Sequence, residues 1–467
     1  MAQENGLPFK LVYSHWYKTS EGEFPVANGL HPSTAEWIVT HIQDNNLLHD
    51  NRPFLRINKI DSLYFYNVPD SGHFFRHSDF YYHFEKKFSF DSIVKESEVN
   101  DSDAVYFYPI ELDCNATQFL TGQHPFVLNG QSVDYVFKNT FTNGMLNLIK
   151  AGRVKILFVN IIDPCTDIEV LDAIEHMLEE IGIPAHHAVF LQGNTKTDYK
   201  GKLQIIGSKI SLYQISNQMD KYPHNTGLGY ISDYVREQDI DATTIRPNKF
   251  LSFNRIMRPH RVALCYLAIK HELLDTGTFS FLHIVEDSVV PKLSMLVDRT
   301  DQFDIIAEKI HKLVPLEIDT HHLDTASKKS FYTVDINKKD LYNNSYVHIT
   351  TETQFDQYST PFFSEKTWRP ILNLQPFIYL GNYQALNTLR TLGFKTFHPF
   401  IDESYDQEPD PKKRFSMIET QIKKFAHMTT QQVHDWYHSI TDILLHNQQL
   451  LYTFKNYNPV DELLQHE

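Results

Sequence analysis

The sequence predicts two doubly wound, Rossmann-like α/β domains followed by a helical C-terminal tail. Three observations lead there. The chain has 467 residues, beyond what one hydrophobic core usually organises, so two domains of roughly 200 to 250 residues each are expected. From residue 105 onward, short apolar runs alternate with segments of helical periodicity, the pattern of βαβ units and a parallel sheet. A polar run, ISDYVREQDIDATTIRPN (231–248), then interrupts the alternation and places a junction near residue 245. The expected organisation is an N-terminal domain over 1–245, a C-terminal domain over 246–428 and a tail over 429–467.

The elements follow in order. The first hundred residues are aromatic-rich and irregular and yield no assignment. VYFYPI (105–110) has the composition of a buried strand, and NGMLNLIKAG (143–152) that of a short helix capped by Asn143 and closed by Gly152. VKILFVNII (154–162) is the next strand. Ile168, Leu171, Ile174 and Leu178 recur at helical spacing until Gly182, and HAVFLQ (187–192) resumes the sheet. In the second series KFLSFNR (249–255) is a strand, Pro259 opens a helix that ends by Gly277, and FSFLHIVE (279–286) and YVHITT (346–351) are strands. A helix opened by Asp410-Pro411 carries Phe415, Ile418, Ile422 and Phe425 on one face. The tail, with Val433, Trp436, Ile440, Ile443 and Leu444, is expected to form one or two amphipathic helices.

Composition narrows the function. A formal net charge of −15 argues against a nucleic-acid partner held by phosphate neutralisation, which needs a basic face. One local basic stretch exists: no acid occurs from Ala242 to His271, where Arg246, Lys249, Arg255, Arg258, Arg261 and Lys270 fall. The three cysteines, Cys114, Cys165 and Cys265, are too widely spaced for a disulfide framework or a zinc ligand set. There is no leader-like N-terminus and no apolar run long enough to span a membrane. The expectation is a cytoplasmic protein without a membrane span.

In doubly wound domains ligands bind beyond the carboxyl ends of the strands. Three segments of the C-terminal domain fall there. SFNRIMRPHR (252–261) leads from a strand into a helix start, where Asn254, Arg255 and Arg258 suit an anion such as a diphosphate. TTETQFDQ brings Glu352 to the same edge. In FFSEKTWRPILNLQPFIYLGN (362–382), Ser364 caps a helix and Glu365 and Lys366 open it. A carboxylate is favoured in a first helical turn and a lysine is not, so Lys366 either snorkels into solvent beside a simple cap or marks an anion at that helix start. With 17 glycines in the chain and no GxGxxG or GxxxxGK[ST], charged side chains have to do the work of a glycine-rich phosphate cradle.

Glu352 at a strand end, then FSEKTWRPIL, then QPFIYLG resembles the donor-binding segment of the GT-B glycosyltransferases related to the α-1,3-fucosyltransferases. The matching positions are Glu352, Ser364, Glu365, Lys366, Trp368, Arg369, Leu380 and Gly381, with Ser252, Asn254 and Arg255 similar to an upstream segment of that family. The resemblance covers about Lys249 to Gly393. It implies a GT-B-like fold and inverting, metal-independent transfer from a nucleotide-sugar co-substrate to a glycan or other hydroxyl acceptor. It further implies that Glu365 holds the ribose hydroxyls, that Lys366 and Arg255 neutralise the diphosphate, and that a carboxylate of the N-terminal domain is the general base. Candidates for that base are Glu111, Asp113 and Asp163, of which Glu111 is nominated. Two departures stand out: Pro370 requires the helix to be short or kinked, and the interval from Glu352 to Glu365 is long. The expectation is therefore nucleotide-sugar binding without a commitment to fucose.

Competing signals are weaker. Asp101-Ser102-Asp103 has the letters of the metal-binding motif of a metal-dependent GT-A transferase but precedes its strand. His186-His187 and His321-His322 would point to opposite faces of a strand, and His434 and His438 lack the Glu of HExxH. A non-catalytic glycan-binding or structural protein on the same scaffold is the alternative from another class.

Overall fold

The computed structural model describes residues 9–14, 16–19, 22–25, 93–100, 104–111, 126–128, 131–133, 141–160, 168–193, 199–207, 234–283, 289–316, 339–355, 363–454 and 459–466. Calls on Asp101, Asp103, Asp113, Asp163, Cys114, Cys165 and the His321-His322 pair fall outside them. The chain divides into two compact units, 1–210 with 458–467, and 211–457.

The sheet of the first unit is built from β1 (Phe9–Tyr13), β4 (Ile93–Lys95), β5 (Val105–Glu111), β8 (Lys155–Asn160), β9 (Ala188–Gln192) and β10 (Gln204–Gly207). Their order is β10-β9-β8-β5-β1-β4, and every neighbouring pair is parallel. The chain winds outward from β1 to β4, crosses back to β5 and continues through β10, so the winding reverses between β1 and β5. Two short antiparallel pairs, β2 (Trp16–Thr19) with β3 (Gly22–Pro25) and β6 (Phe126–Leu128) with β7 (Gln131–Val133), stand apart from it.

Why β8 is apolar at successive positions is visible in its packing. Ile156 and Phe158 enter one core cluster and Leu157 and Val159 the other, so both faces of the sheet are covered. The helices α1 (Asn143–Lys150) and α2 (Ile168–Glu180) contribute Met145, Ile149, Leu171, Ile174 and Leu178 to the first cluster. The cap of α1 is Thr142 rather than Asn143: its hydroxyl accepts from the Met145 N–H at 3.0 Å, one residue earlier than the asparagine suggested. Gly152 and Gly182 end α1 and α2 with φ of 71° and 72°, the left-handed region that glycine enters without strain.

The second unit has a four-stranded parallel sheet of β11 (Asn248–Ile256), β12 (Gly277–His283), β13 (Ser345–Thr351) and β14 (Phe377–Leu380), in the order β12-β11-β13-β14. Its winding reverses between β11 and β13. Around it lie α3 (Pro259–Lys270), α4 (Val289–Ser294), α5 (Phe303–Leu313), α6 (Lys339–Asn343), α7 (Glu365–Leu372), α8 (Ala385–Thr391) and α9 (Pro411–His427). The helix carrying Pro370 is short, at eight residues, as the missing amide hydrogen requires.

The junction lies upstream of residue 245. Val235 is buried in the second core, where its N–H donates to Asn373 Oδ1 and its carbonyl accepts from Gln448 Nε2. The polar run from 231 therefore belongs, in its described part, to the second unit. The tail is likewise no separate body. Helices α10 (Thr430–Ser439) and α11 (Thr441–Thr453) bury Val433, Trp436, Tyr437, Leu444 and Leu451 in the second core. Helix α12 (Pro459–His466) places Leu463 in the core of the first unit. No helix among the described residues is long and apolar enough to cross a membrane.

Trp368 is fully buried on α7, its ring tilted against those of Phe363 and Phe394. Trp368→Ala is expected to cost about 3–5 kcal/mol, read from the urea midpoint of the second unit. A midpoint close to wild type would show that α7 contributes little to that core.

Candidate functional site

In open α/β sheets a winding reversal, here that between β11 and β13, marks the crevice beyond the carboxyl ends of the strands where ligands bind. Both following helices begin there. α3 starts at Pro259 with Arg258 at its N-cap, no side-chain cap and no acid in its first turn. α7 starts at Glu365, with Ser364 as the capping residue. Each start thus carries a cation, Arg258 or Lys366, where the helix dipole disfavours one.

Glu352, the residue after β13, fixes the second of these helix starts. Only 2 % of it is exposed. Its Oε1 accepts from the Ser364 N–H at 3.0 Å and the Thr367 hydroxyl at 2.5 Å, and its Oε2 from the Ser364 hydroxyl at 2.7 Å and the Thr353 N–H at 3.0 Å. Because Thr367 donates to Glu352, Tyr379 donates its phenol to Thr367 across 3.2 Å. Burial and the nearby Glu352 charge push the Tyr379 phenol well above its usual range, which keeps it a donor. Ser364 in turn accepts from the Lys366 N–H at 3.3 Å and from Lys366 Nζ at 3.1 Å. The carboxylate, the cap and the lysine form one chain of hydrogen bonds.

A second set of contacts ties β13 to the start of α3. The Glu352 carbonyl accepts from Arg261 Nη2 at 3.0 Å and lies 2.8 Å from His260 Nε2. A carbonyl can only accept, so His260 carries its proton on Nε2. Burial and the charges of Arg261, Arg258 and Lys366 hold His260 well below its ordinary pKa. Its ring stacks on Phe355 at 5.5 Å, and the guanidinium of Arg414 lies over the same phenyl ring. Arg258 Nη1 donates to the Thr353 carbonyl at 2.5 Å.

The predicted residues divide by role. Asn254 is buried and spent on the scaffold: its Oδ1 accepts from Thr351 Oγ1 at 2.7 Å and its Nδ2 donates to Ser252 at 3.2 Å. Glu352 and Ser364 are likewise engaged within the unit. Arg255, Arg258 and Lys366 are half-buried at the crevice, and Glu365 opens α7 beside them. The rest of the basic stretch is structural. Arg246 donates to the carbonyls of Tyr342 and Ser345 and to Tyr437, Lys249 to the carbonyls of Ala426 and Met428, and Lys270 to Glu419.

In the first unit Glu111 ends β5, one of the two strands that flank the winding reversal. Sequence reasoning missed Glu96, just beyond the three-residue β4, a strand too short to leave a periodic signal. Glu96 Oε2 accepts from Thr142 at 2.6 Å and Ser14 at 3.1 Å. A Cβ at position 144 would fall 2.0 Å from Glu96 Oε1, so the glycine of α1 is what admits the carboxylate. It lines an open cleft of about 740 Å³ with Trp16, Lys95, Asn147 and Arg153. Among the described residues neither histidine pair belongs to a group of three or more His, Cys, Asp or Glu side chains gathered as for a metal ion. His186 and His187 lie in a 3-10 turn with rings 4.3 Å apart rather than on a strand, and His434 bonds Tyr346 and the Ala242 carbonyl.

No known family profile matches the chain, and no curated protein is detectably similar to it.

Glu352→Ala would leave the Ser364 and Thr353 amides and the Thr367 hydroxyl without their acceptor, an expected loss of about 3 kcal/mol or more in urea unfolding; Glu352→Gln should lose less. pH gives a separate check. Burial and the neighbouring Arg369 charge depress His348 from 6.5 to about 3. The unfolded chain protonates this histidine near pH 6.5 while the fold keeps it neutral. Stability is therefore full above that pH and falls as the pH drops toward 3. A loss of about 2 kcal/mol between pH 7 and pH 5 is expected from His348 alone, and should be missing from His348→Leu.

Proposed function

We propose that the chain is a glycosyltransferase that moves a sugar from a nucleotide-sugar donor to an acceptor hydroxyl with inversion and without a metal ion. The observation that carries this reading is the convergence of Arg255, Arg258 and Lys366 with two helix starts at the winding reversal of the second unit. Glu352, the residue after β13, is turned into the helix cap and accepts four hydrogen bonds there. A site that gathers cations and amide dipoles while occupying its buried acid internally is suited to the diphosphate of a nucleotide.

In the reaction these cations would stabilise the charge that develops on the departing diphosphate, and being fixed in place they need little reorganisation as it forms. Glu365, the first residue of α7, would hold the ribose hydroxyls in this reading, as the resemblance to the GT-B enzymes implies. The acceptor hydroxyl needs a base; Glu111, at the carboxyl edge of the first unit, takes that role in this reading, with Glu96 as a second carboxylate on the same edge. The cleft beside Trp16 offers an aromatic wall and polar rim of the kind saccharides use.

Calorimetric titration with GDP, UDP, CDP and dTDP, with and without manganese, tests the reading. One nucleotide should bind in the absence of metal, and Arg255→Ala and Lys366→Ala should each weaken it by about tenfold or more, the scale of a lost charge-assisted contact. If no nucleotide binds, or both variants bind as wild type does, the crevice is not a donor site. Binding that requires manganese would favour a metal-dependent transferase instead.

A further inference from the structure

The cleft of the first unit is assembled from three elements. β1 and β4 are neighbours, with Tyr13 opposite Lys95 in the register, so the residues that follow their carboxyl ends are brought together: Ser14 and Trp16 after the one, Glu96 after the other. The third wall is α1. Its Met145 and Ile149 are buried in the core, which turns Gly144, Asn147 and, just past the end of the helix, Ala151 outward at spacings of three and four. These residues, with Lys95 and Arg153, line the space of about 740 Å³. Two of the three outward positions are Gly and Ala, which keeps that wall low.

The polar groups of the cleft have distinct parts. Trp16 Nε1 donates to the Tyr13 carbonyl at 3.0 Å, which engages the only polar atom of the indole. What Trp16 presents to the cleft is therefore apolar ring. Lys95 Nζ lies 5.5 Å from the centre of the same ring, a cation–π contact. The Glu96 carboxylate is divided. Its Oε2 accepts from Thr142 Oγ1 at 2.6 Å and from Ser14 Oγ at 3.1 Å, whereas no described residue donates to Oε1. That second oxygen is 2.0 Å from where a Cβ of residue 144 would stand, so glycine alone leaves it room. One oxygen fixes the carboxylate and the other is set out as an acceptor.

The charges decide what kind of ligand fits. Glu96 shares the cleft with Lys95 and Arg153, so a charged ligand of either sign would gain from one and lose to the other. Hydroxyl groups meet no such conflict, because each can donate to the carboxylate and accept from an ammonium, a guanidinium or the Asn147 amide. The apolar ring surface beside these groups matches the C–H face of a pyranose. We propose that the cleft binds a neutral saccharide, with the Trp16 ring against one sugar face and Glu96 Oε1 accepting from sugar hydroxyls. Its volume lies in the range of small-molecule sites, about 300–1,000 Å³. As the acceptor site of the transfer proposed above it rests on that reading; as a saccharide site it stands on the cleft alone.

Saturation-transfer NMR on the full chain with lactose, cellobiose, maltose and diacetylchitobiose, and with glucuronate and glucosamine as charged controls, tests the site. At least one neutral disaccharide should bind, and more tightly than either control. Trp16→Ala and Glu96→Gln should each weaken that sugar by about tenfold or more, the scale of a lost contact to a charged or central anchoring group. In Glu96→Gln the amide oxygen can keep the Thr142 and Ser14 contacts while a donor replaces the acceptor in the cleft, so a thermal midpoint near wild type is expected. Absence of binding by all four disaccharides, tighter binding of a charged control, or unchanged affinity in either folded variant overturns the proposal. Should Trp16→Ala fail to fold, Glu96→Gln decides alone. Sugar binding without any nucleotide binding refutes the donor reading and leaves this site; nucleotide binding without sugar binding does the reverse.

Discussion

The second unit depends on one buried carboxylate. Glu352 accepts four hydrogen bonds from Thr353, Ser364 and Thr367, and its own carbonyl is held by Arg261 and His260. The end of β13 is thereby joined to the starts of both α3 and α7. Since β13 lies at the centre of the sheet between β11 and β14, the arrangement sets where two helix dipoles and three cations emerge. A charge buried this deeply destabilises unless its acceptors are filled; here they are filled by the elements whose positions matter. The same contacts that satisfy the acid also place Lys366.

The fate of the basic residues separates scaffold from site by a simple criterion, namely whether each cation has found its acceptors inside the fold. Arg246 is wrapped by carbonyls and lies against the Tyr346 and Tyr437 rings, at 5.3 Å and 4.2 Å. Lys249 ends a helix by binding the carbonyls of Ala426 and Met428. Burial lowers the Lys249 ammonium from its ordinary range, yet these carbonyls can accept its protons. A run of like charge in the sequence is therefore a mixture, and only the fold sorts its members.

Much of the sheet architecture was legible because parallel strands buried on two faces must be apolar at successive positions, as in VKILFVNII and YVHITT. The helix starts were legible through proline and capping hydroxyls: Pro259, Ser364 and the Asp410-Pro411 pair stand where local chemistry requires them. β1 escaped because FKLVY is short and sits in an aromatic-rich region without clear punctuation, although it occupies the interior of its sheet. Glu352 was visible as a strand-end acid, but its commitment to the helix cap was not, since its partners lie twelve and fifteen residues downstream. Polarity alone does not mark a linker: Val235, within the polar run before residue 245, is wholly buried.

The return of the chain to the first unit through Pro459–His466, after traversing the whole of the second, bears on biosynthesis. The pocket that receives Leu463 is assembled from strands that leave the ribosome several hundred residues earlier. At the usual pace of elongation, about 5–20 residues per second, those strands wait tens of seconds for their last packing partner. During that interval the second unit is free to fold, and the first can reach its final packing only after translation reaches α12. The order of completion is thus inverted relative to the order of synthesis, and a nascent chain stalled before residue 459 holds an exposed apolar surface on the unit it made first.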